Sequence, residues 1–456
     1  MINISNISNI YFIGIGGIGM SALARYFNEK GAIVSGYDKT PSELTEKLQS
    51  EGINIHFTDD VNLTDKQAQV VVYTPAVPAE HTELNYFRDN NYAVVKRSDI
   101  LSAVTDSTYN ICVAGTHGKT TISSMVAHIL HTSGYGCTAF LGGISVNYDT
   151  NYRSTNSNVA VVEADEYDRS FLKLSPDVAI ISAMDADHLD IYGTEEALQQ
   201  AFIDFSAKVK STGLLISKYG LSRTKDLKAA GQIHYSLQND AADAYACNIR
   251  IKKGSYVFDV MTKDWMLDDV CLYMGGMHNV ENAVAAIVTA HYLKIDSEKI
   301  KDAIASFKGV KRRFEFVVRH EDGAIYIDDY AHHPEELRSL ITGAKSLYPK
   351  RKCLVIFQPH LFTRTRDLAD AFAETLDLAD ETLLLPIYPA RELPIEGVTA
   401  EMIASKMHNG AQVLSKQEVL NHLRSLSHEQ LKNILIITAG AGDIDQLIEP
   451  IKQIIK

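Results

Sequence analysis

Cysteine is scarce in this chain: five in 456 residues, at Cys112, Cys137, Cys247, Cys271 and Cys353. They are scattered, odd in number and never spaced C-x-x-C, which excludes a disulfide framework and a clustered thiolate zinc site and favours a cytoplasmic location. No apolar run reaches the roughly 18 residues that a membrane span requires. The opening M-I-N-I-S-N-I-S-N-I has neither the basic start nor the long apolar core of a secretory leader. A chain that is neither exported nor membrane-spanning is expected. An excess of positive charge is also missing: the formal net charge of -13 argues against a nucleic-acid partner, for which a basic patch is expected. What remains is 46% hydrophobic and 22% charged, a globular composition with substantial cores. The length suits about three domains of roughly 150 residues.

The most informative stretch is Ala114 to Thr121, A-G-T-H-G-K-T-T. It follows the apolar Ile111-Cys112-Val113 and precedes a run with helical spacing from Ile122 to Leu130. Strand, glycine-flanked loop and helix in that order hold a nucleotide triphosphate: backbone N–H groups from Gly115 to Thr121 cradle phosphate oxygens, Lys119 neutralises them and the Thr120 hydroxyl ligates Mg2+. The glycine of the general P-loop five residues before Gly118 is Val113 here, so the motif is a shortened G-x-x-G-K-T. ATP is the expected nucleotide. Because Lys119 is expected to meet anions rather than a core, Lys119→Ala is expected to abolish activity and leave the fold intact.

A second glycine turn lies near the N-terminus. Ile10-Tyr11-Phe12-Ile13 reads as a strand running into Gly14-Ile15-Gly16-Gly17-Ile18-Gly19, then a helix from Met20 to Glu29 and a strand from Ala32 to Tyr37 that ends in Asp38. This is G-x-G-x-x-G in its strand–turn–helix setting, with an acid placed to meet a ribose. By itself it suggests NAD and an oxidoreductase. Yet the domain ends near residue 106, short of two mononucleotide halves, so the pyrophosphate of another nucleotide, such as a nucleotide-sugar, fits better.

Two strands downstream of the phosphate loop end in polar residues: Asn158 to Val162 in Glu163-Ala164-Asp165-Glu166, and Val178 to Ser182 in Asp185-Ala186-Asp187-His188. Ligands of open parallel sheets sit outside such ends, so Glu163 and His188 are the leading candidates to hold one or two Mg2+ ions against the γ-phosphate. Residues 240 to 275 alternate as a small antiparallel insertion, followed by Gly275-Gly276-Met277-His278-Asn279 and a helix from Val280 to Leu293 carrying Asn282. An Asn offers the donor and acceptor pair that matches an adenine edge. Further strands end in Asp328-Asp329-Tyr330-Ala331-His332-His333-Pro334 and in Gln358-Pro359-His360, near Arg364 and Arg366. Tyr330 and His332 beside paired arginines suit an amino-acid carboxylate.

The ordered set G-I-G-G-I-G-M-S, G-T-H-G-K-T-T, E-A-D-E, D-A-D-H-L-D, G-x-H-N, K-R-R-F-E, D-D-Y-A-H-H-P and F-Q-P-H-L-F-T-R-T-R resembles the Mur ligases of bacterial cell-wall synthesis over nearly the whole chain. The resemblance implies an α/β fold of three domains: a Rossmann-like UDP-substrate domain (1–106), a central P-loop-type ATPase with a small antiparallel insertion (107–311) and a Rossmann-like domain (312–456) that admits the amino acid. It implies ATP-dependent ligation of L-alanine to the carboxylate of UDP-N-acetylmuramate through an acyl phosphate, with ATP and Mg2+ as cofactors and small-molecule partners only. A murein-peptide recycling ligase is the alternative within the class.

Carried over by position, Lys119, His188 and His332 would be catalytic, and Gly115, Thr116, His117, Gly118, Lys119, Thr120 and Thr121 would hold ATP with Asn279, Asn282 and Arg312 or Arg313. Thr120, Glu163 and His188 would ligate metal. Gly16, Gly17, Ile18, Gly19, Asp38, Thr74 and His278 would meet the UDP substrate. Tyr330, His332, His360 and Arg364 would bound the amino-acid pocket. Relatives often carry Arg after the His of F-Q-P-H where this chain has Leu361, which shifts carboxylate recognition to Arg364 or Arg366.

Overall fold

The computed structural model describes residues 4–155, 157–320, 322–390 and 392–456. They form three sheets. The chain divides into two compact units, one running to Cys247 and adding Val260–Asp268 and Glu281–Ile304, the other comprising Asn248–Asp259, Asp269–Val280 and Ala305–Lys456.

The first sheet takes strands Asn9–Ile13, Ile33–Tyr37, Asn54–His56, Val70–Tyr73 and Ala93–Lys96 in spatial order third, second, first, fourth, fifth. The registers recorded are all parallel. This is the order of a mononucleotide-binding fold, and it reverses between the first and fourth strands, where Gly14 and Thr74 follow. The helix after the glycine turn, Ile18–Glu29, starts two residues before the expected Met20.

The central sheet places the strand Tyr109–Ala114 between Val178–Ile181 and Val159–Glu163, all parallel. Its strands carry apolar side chains on both faces, Ile111, Val113, Val161 and Ile180 on one and Cys112, Val162, Ala179 and Ile181 on the other all being fully buried, as parallel sheets covered on both sides require. The phosphate-loop helix is Lys119–Thr132, three residues longer at its start than the apolar spacing indicates. Gly118 accounts for that: at φ +84 it turns the chain so that Lys119 and Thr120 already lie in the first helical turn. Strands Ala244–Lys252, Ser255–Thr262 and Met266–Leu272 make the expected insertion.

In the second unit, parallel strands Ile325–Asp329, Ile434–Ala439, Lys352–Phe357 and Glu381–Leu384 lie side by side, with Glu315–Arg319 antiparallel at the edge. Their carboxyl ends deliver Tyr330, Gly440 and Gln358-Pro359-His360 to one rim.

One buried carboxyl on the helix Thr82–Asp89, bonded to the first sheet through Tyr11, sets a pH dependence. Glu83 is fully buried and accepts hydrogen bonds from the Tyr11 hydroxyl at 2.6 Å and the Asp60 N–H at 3.1 Å. Burial pushes its carboxyl up to about 7. The folded state therefore holds this proton more tightly than the unfolded chain does, and the stability it contributes is present at pH 4 and lost as pH rises through about 7. Glu83→Gln should flatten the fall in stability between pH 5 and 8 by on the order of 2 kcal/mol. Urea titrations of both proteins at the two pH values check this, and parallel pH profiles would rule it out.

Candidate functional site

The phosphate loop brings the expected acids to its lysine. Lys119 Nζ donates to Gly115 O at 2.7 Å and to Glu166 Oε1 at 2.7 Å. Thr120 Oγ1 donates to Glu163 Oε1 at 3.0 Å, and Gly142 N to Glu163 Oε2 at 3.0 Å. The strand end Val159–Glu163 thus lies against the start of the helix because the two strands are parallel neighbours, Val113 paired with Glu163. Thr116 and Thr121 are buried, His117 is exposed, and Ser182 Oγ donates to His117 O. Gly118 leaves no room for a side chain: a Cβ there would stand 2.8 Å from Asn282 Oδ1. Asn282 is thereby placed on the loop itself.

His188 sits at φ +48, with Nε2 3.8 Å from both Glu166 Oε1 and Asp187 Oδ2. Glu166, Asp187 and His188 offer ligand atoms all within 4.8 Å of one another. Glu166 is fully buried, its Oε2 has no hydrogen-bond partner among the described residues, and burial raises its carboxyl despite the Lys119 charge. Glu166 and Asp187 are additions to the expected pair of Glu163 and His188. Their signal was present in E-A-D-E and D-A-D-H, but spacing alone does not say which acid of each motif turns inward. The Lys119–Glu166 ion pair, 14% and 0% exposed, argues against the expectation that Lys119 can be removed without cost to the fold.

At the glycine turn, Asp38 accepts from Gly16 N at 2.7 Å, so the acid expected at a ribose closes the turn itself. Gly17 is the N-cap of the helix, and Ile18 and Gly19 form its first turn. Thr74 packs on Gly14, within 2.7 Å of where a Cβ would stand. A side chain at Gly19 would strike the Arg97 guanidinium at 2.5 Å. Arg97, which sequence patterns did not single out, reaches Asp165 at 3.4 Å and lines a cavity with Glu163, Asp165 and Ser170.

The second unit holds the other group of expected residues. His278 packs on Gly276, and the Asn279 amide donates to Gly275 O at 2.7 Å. Arg312 is committed to Asp328 at 3.1 Å and Gly440 O at 2.6 Å, and lies 5.2 Å from the Tyr330 ring centre, whereas Arg313 is exposed. Tyr330 packs edge-on against His332 at 5.4 Å, and the His332 and His360 ring centres are 6.1 Å apart. His360 stacks on Tyr388 at 5.8 Å. Burial, with Arg364 and His332 nearby, holds the His360 imidazole below its usual range. Two polar atoms at this rim, His360 Nδ1 and Arg364 Nη1, are buried with no hydrogen-bond partner among the described residues. Arg366 is exposed and paired with Asp367 at 2.7 Å, leaving Arg364 better placed for an anion.

Three α/β sheets, one carrying a nucleotide-phosphate loop faced by a buried acid and an imidazole, define a nucleotide-dependent transfer enzyme built on Rossmann-like and P-loop-like layers. The comparisons narrow this to one family. The chain matches the Mur ligase family catalytic domain over residues 9–109, the Mur ligase middle domain over 113–290 and the Mur ligase glutamate ligase domain over 312–442. It is 48% identical over 458 residues to the UDP-N-acetylmuramate–L-alanine ligase of Flavobacterium johnsoniae, covering 99% of each chain. It is 45% identical to the enzyme of the same name from Cytophaga hutchinsonii, over 99% of this chain and 97% of that one. Among solved structures it resembles UDP-N-acetylmuramate-alanine ligase from Thermotoga maritima, with a TM-score of 0.84, 29% identity and 98% of both chains covered. The chain belongs to the Mur ligase family. The oxidoreductase suggested by the glycine turn alone falls with that result.

Proposed function

We infer that this protein joins L-alanine to the carboxylate of UDP-N-acetylmuramate at the expense of ATP, in peptidoglycan synthesis. The observation that carries this reading is the full-length identity to ligases of that name, on a chain whose Lys119, Thr120, Glu163 and Glu166 meet at one phosphate loop. The sugar-borne carboxylate attacks the γ-phosphate, ADP leaves, and the alanine amine displaces phosphate from the acyl phosphate.

The chain's own residues act by position and charge. Lys119 exchanges Gly115 O for β- and γ-phosphate oxygens, and the N–H groups from Gly115 to Thr121 line the phosphates with Asn282 beside them. Asn279 completes the adenine contacts. Gly16, Gly17, Ile18 and Gly19 meet the pyrophosphate of the sugar nucleotide, with Asp38, Thr74 and His278 as further contacts. Arg313, the exposed arginine of its pair, is the better placed for a phosphate oxygen. Tyr330, His332, His360 and Arg364 receive the amino acid, His332 serving the amine and Arg364 the carboxylate. The domain boundaries proposed are 1–106, 107–311 and 312–456.

Magnesium fits the donor chemistry: the hard oxygens of Thr120 and Glu163 form one set, and Glu166, Asp187 and His188 the other, with the unpartnered Glu166 Oε2 among them. Bound there, it would neutralise charge on the transferring phosphate. Glu163→Gln should raise the Mg2+ concentration needed for ADP binding by about tenfold or more, read by calorimetry. An unchanged Mg2+ requirement would remove Glu163 from the set. Small molecules are the partners proposed, and the cytoplasm the location. No helix among the described residues is long and apolar enough to cross a membrane.

The test is phosphate release from ATP, Mg2+ and UDP-N-acetylmuramate with alanine, glycine, serine or a murein tripeptide. Release that needs the sugar nucleotide and is fastest with alanine is expected. Preference for the tripeptide would reassign the enzyme to peptide recycling.

A further inference from the structure

The helix Phe362–Leu376 carries Arg364 near its start, yet it begins without a cap of its own. Its N-cap residue is Leu361, held at φ +71 and ψ 135, with no side-chain bond to the first turn. A leucine there is strained and offers no acceptor to the first N–H groups. The missing acceptor comes from a residue 29 positions beyond Thr363. Glu392 accepts from Thr363 N at 3.0 Å through Oε2 and from the Thr363 hydroxyl through Oε1. The Thr363 and Phe362 bonds hold its carboxyl below the usual range.

The segment bearing Glu392 is fixed at a second point of the same rim. Tyr388 N donates to Pro359 O at 2.8 Å, Leu361 N donates to Tyr388 O at 3.0 Å, and the Tyr388 ring stacks on His360. Glu392 itself turns on Pro389, its N–H donating to Pro389 O at 2.9 Å. His360 and Arg364, which carry the two unpartnered buried nitrogens, thus stand on either side of a turn that the Tyr388 backbone and the Glu392 carboxylate both bond.

We propose that Glu392 is a positioning residue for the amino-acid pocket: by capping Phe362–Leu376 in place of Leu361, it sets where the Arg364 guanidinium and the His360 imidazole stand. Its carboxylate does not touch the amino acid. The negative charge suits the helix start, where N–H groups and the helix dipole are positive, and it also offsets the Arg364 and Arg366 cations that crowd the first turns. The placement rests on the assignment of Arg364 and His360 to the amino acid made above.

Two measurements on the full chain test it. In steady-state phosphate release, Glu392→Ala should raise KM for alanine about tenfold while KM for ATP and for UDP-N-acetylmuramate stays within about twofold, the loss expected when a charge-assisted cap is removed. Glu392→Gln, which keeps an acceptor and loses the charge, should fall between Glu392→Ala and the parent. In hydrogen exchange followed by mass spectrometry, Glu392→Ala should speed exchange at the first turn of Phe362–Leu376 and leave its last turns unchanged. A parent protein that shows no amino-acid-dependent release, with the exchange effect intact, would overturn the functional reading and leave the capping role standing. A fall in kcat with all three KM values unchanged, or unchanged exchange at the first turn, would overturn the proposal.

Discussion

Lys119→Ala should lower kcat for phosphate release by about a thousandfold or more, the scale set by removing a preorganised charge from a phosphoryl-transfer site. It should also lower stability, because the same ammonium neutralises Glu166, a carboxylate with no exposed surface. Deleting one partner of a buried pair leaves an uncompensated charge and costs about 3 kcal/mol when that charge persists. Glu166 can shed part of this cost by binding a proton: burial already raises its carboxyl, and Lys119 is the largest influence opposing that rise. Without Lys119 the carboxyl rises further, so the folded variant gains a proton that the unfolded chain releases. The variant's deficit is then small near pH 5 and grows toward pH 8. Lys119→Ala combined with Glu166→Gln should recover stability at pH 8 without recovering turnover. Chemical denaturation of the three proteins at both pH values separates the two effects. A single variant as stable as the parent at pH 8 would contradict the buried-pair account, and residual turnover above about a tenth of the parent would remove Lys119 from catalysis.

Lys119, Thr120, Glu163 and His188 were legible as a group because strand, loop and helix follow one another in the chain and because parallel sheets deliver strand ends to one edge. Glu166 and Asp187 were not. Each lies in a polar run in which backbone turns decide the direction of every side chain; His188 occupies the left-handed region, as do Asp168 and Arg169 close by. No local pattern forecasts such a turn. Helix starts were read late, at Met20 and Ile122 rather than Ile18 and Lys119. The apolar stripe begins where the helix meets the core, whereas the first turn faces a ligand and carries glycine, threonine and lysine. Arg97 and Glu392 were invisible for a different reason. Their roles come from contacts with Gly19 and Thr363, one 78 and the other 29 residues away in sequence, and a lone charge in a polar stretch has no periodicity to mark it.

The second large effect lies where the first helix meets the central sheet. Asn151 has no exposed surface; its Oδ1 accepts from Arg25 Nη1 at 2.5 Å, and its Nδ2 donates to Ser21 Oγ at 2.9 Å and to Ile18 O. Arg25, 6% exposed, also clamps Glu51 through Nε at 2.8 Å and Nη2 at 2.8 Å. Tyr26 on the same helix packs on Phe140, ring centres 5.6 Å apart. Asn151→Ala would strip a partner from a buried guanidinium, a hydroxyl and a carbonyl at once, so it should cost about 3 kcal/mol, more than the removal of one ordinary hydrogen bond. The same carbonyl belongs to Ile18, in the glycine turn proposed to hold the pyrophosphate, so KM for UDP-N-acetylmuramate should rise while KM for ATP changes little. Asn151→Asp separates the components: it keeps an acceptor for Arg25 but faces Ile18 O with a second oxygen, so it should retain part of the stability and still weaken sugar-nucleotide binding. Equilibrium urea unfolding and initial rates measure both. If Asn151→Ala lies within about 0.5 kcal/mol of the parent, the range of an ordinary surface change, this network does not hold the glycine-turn helix in place.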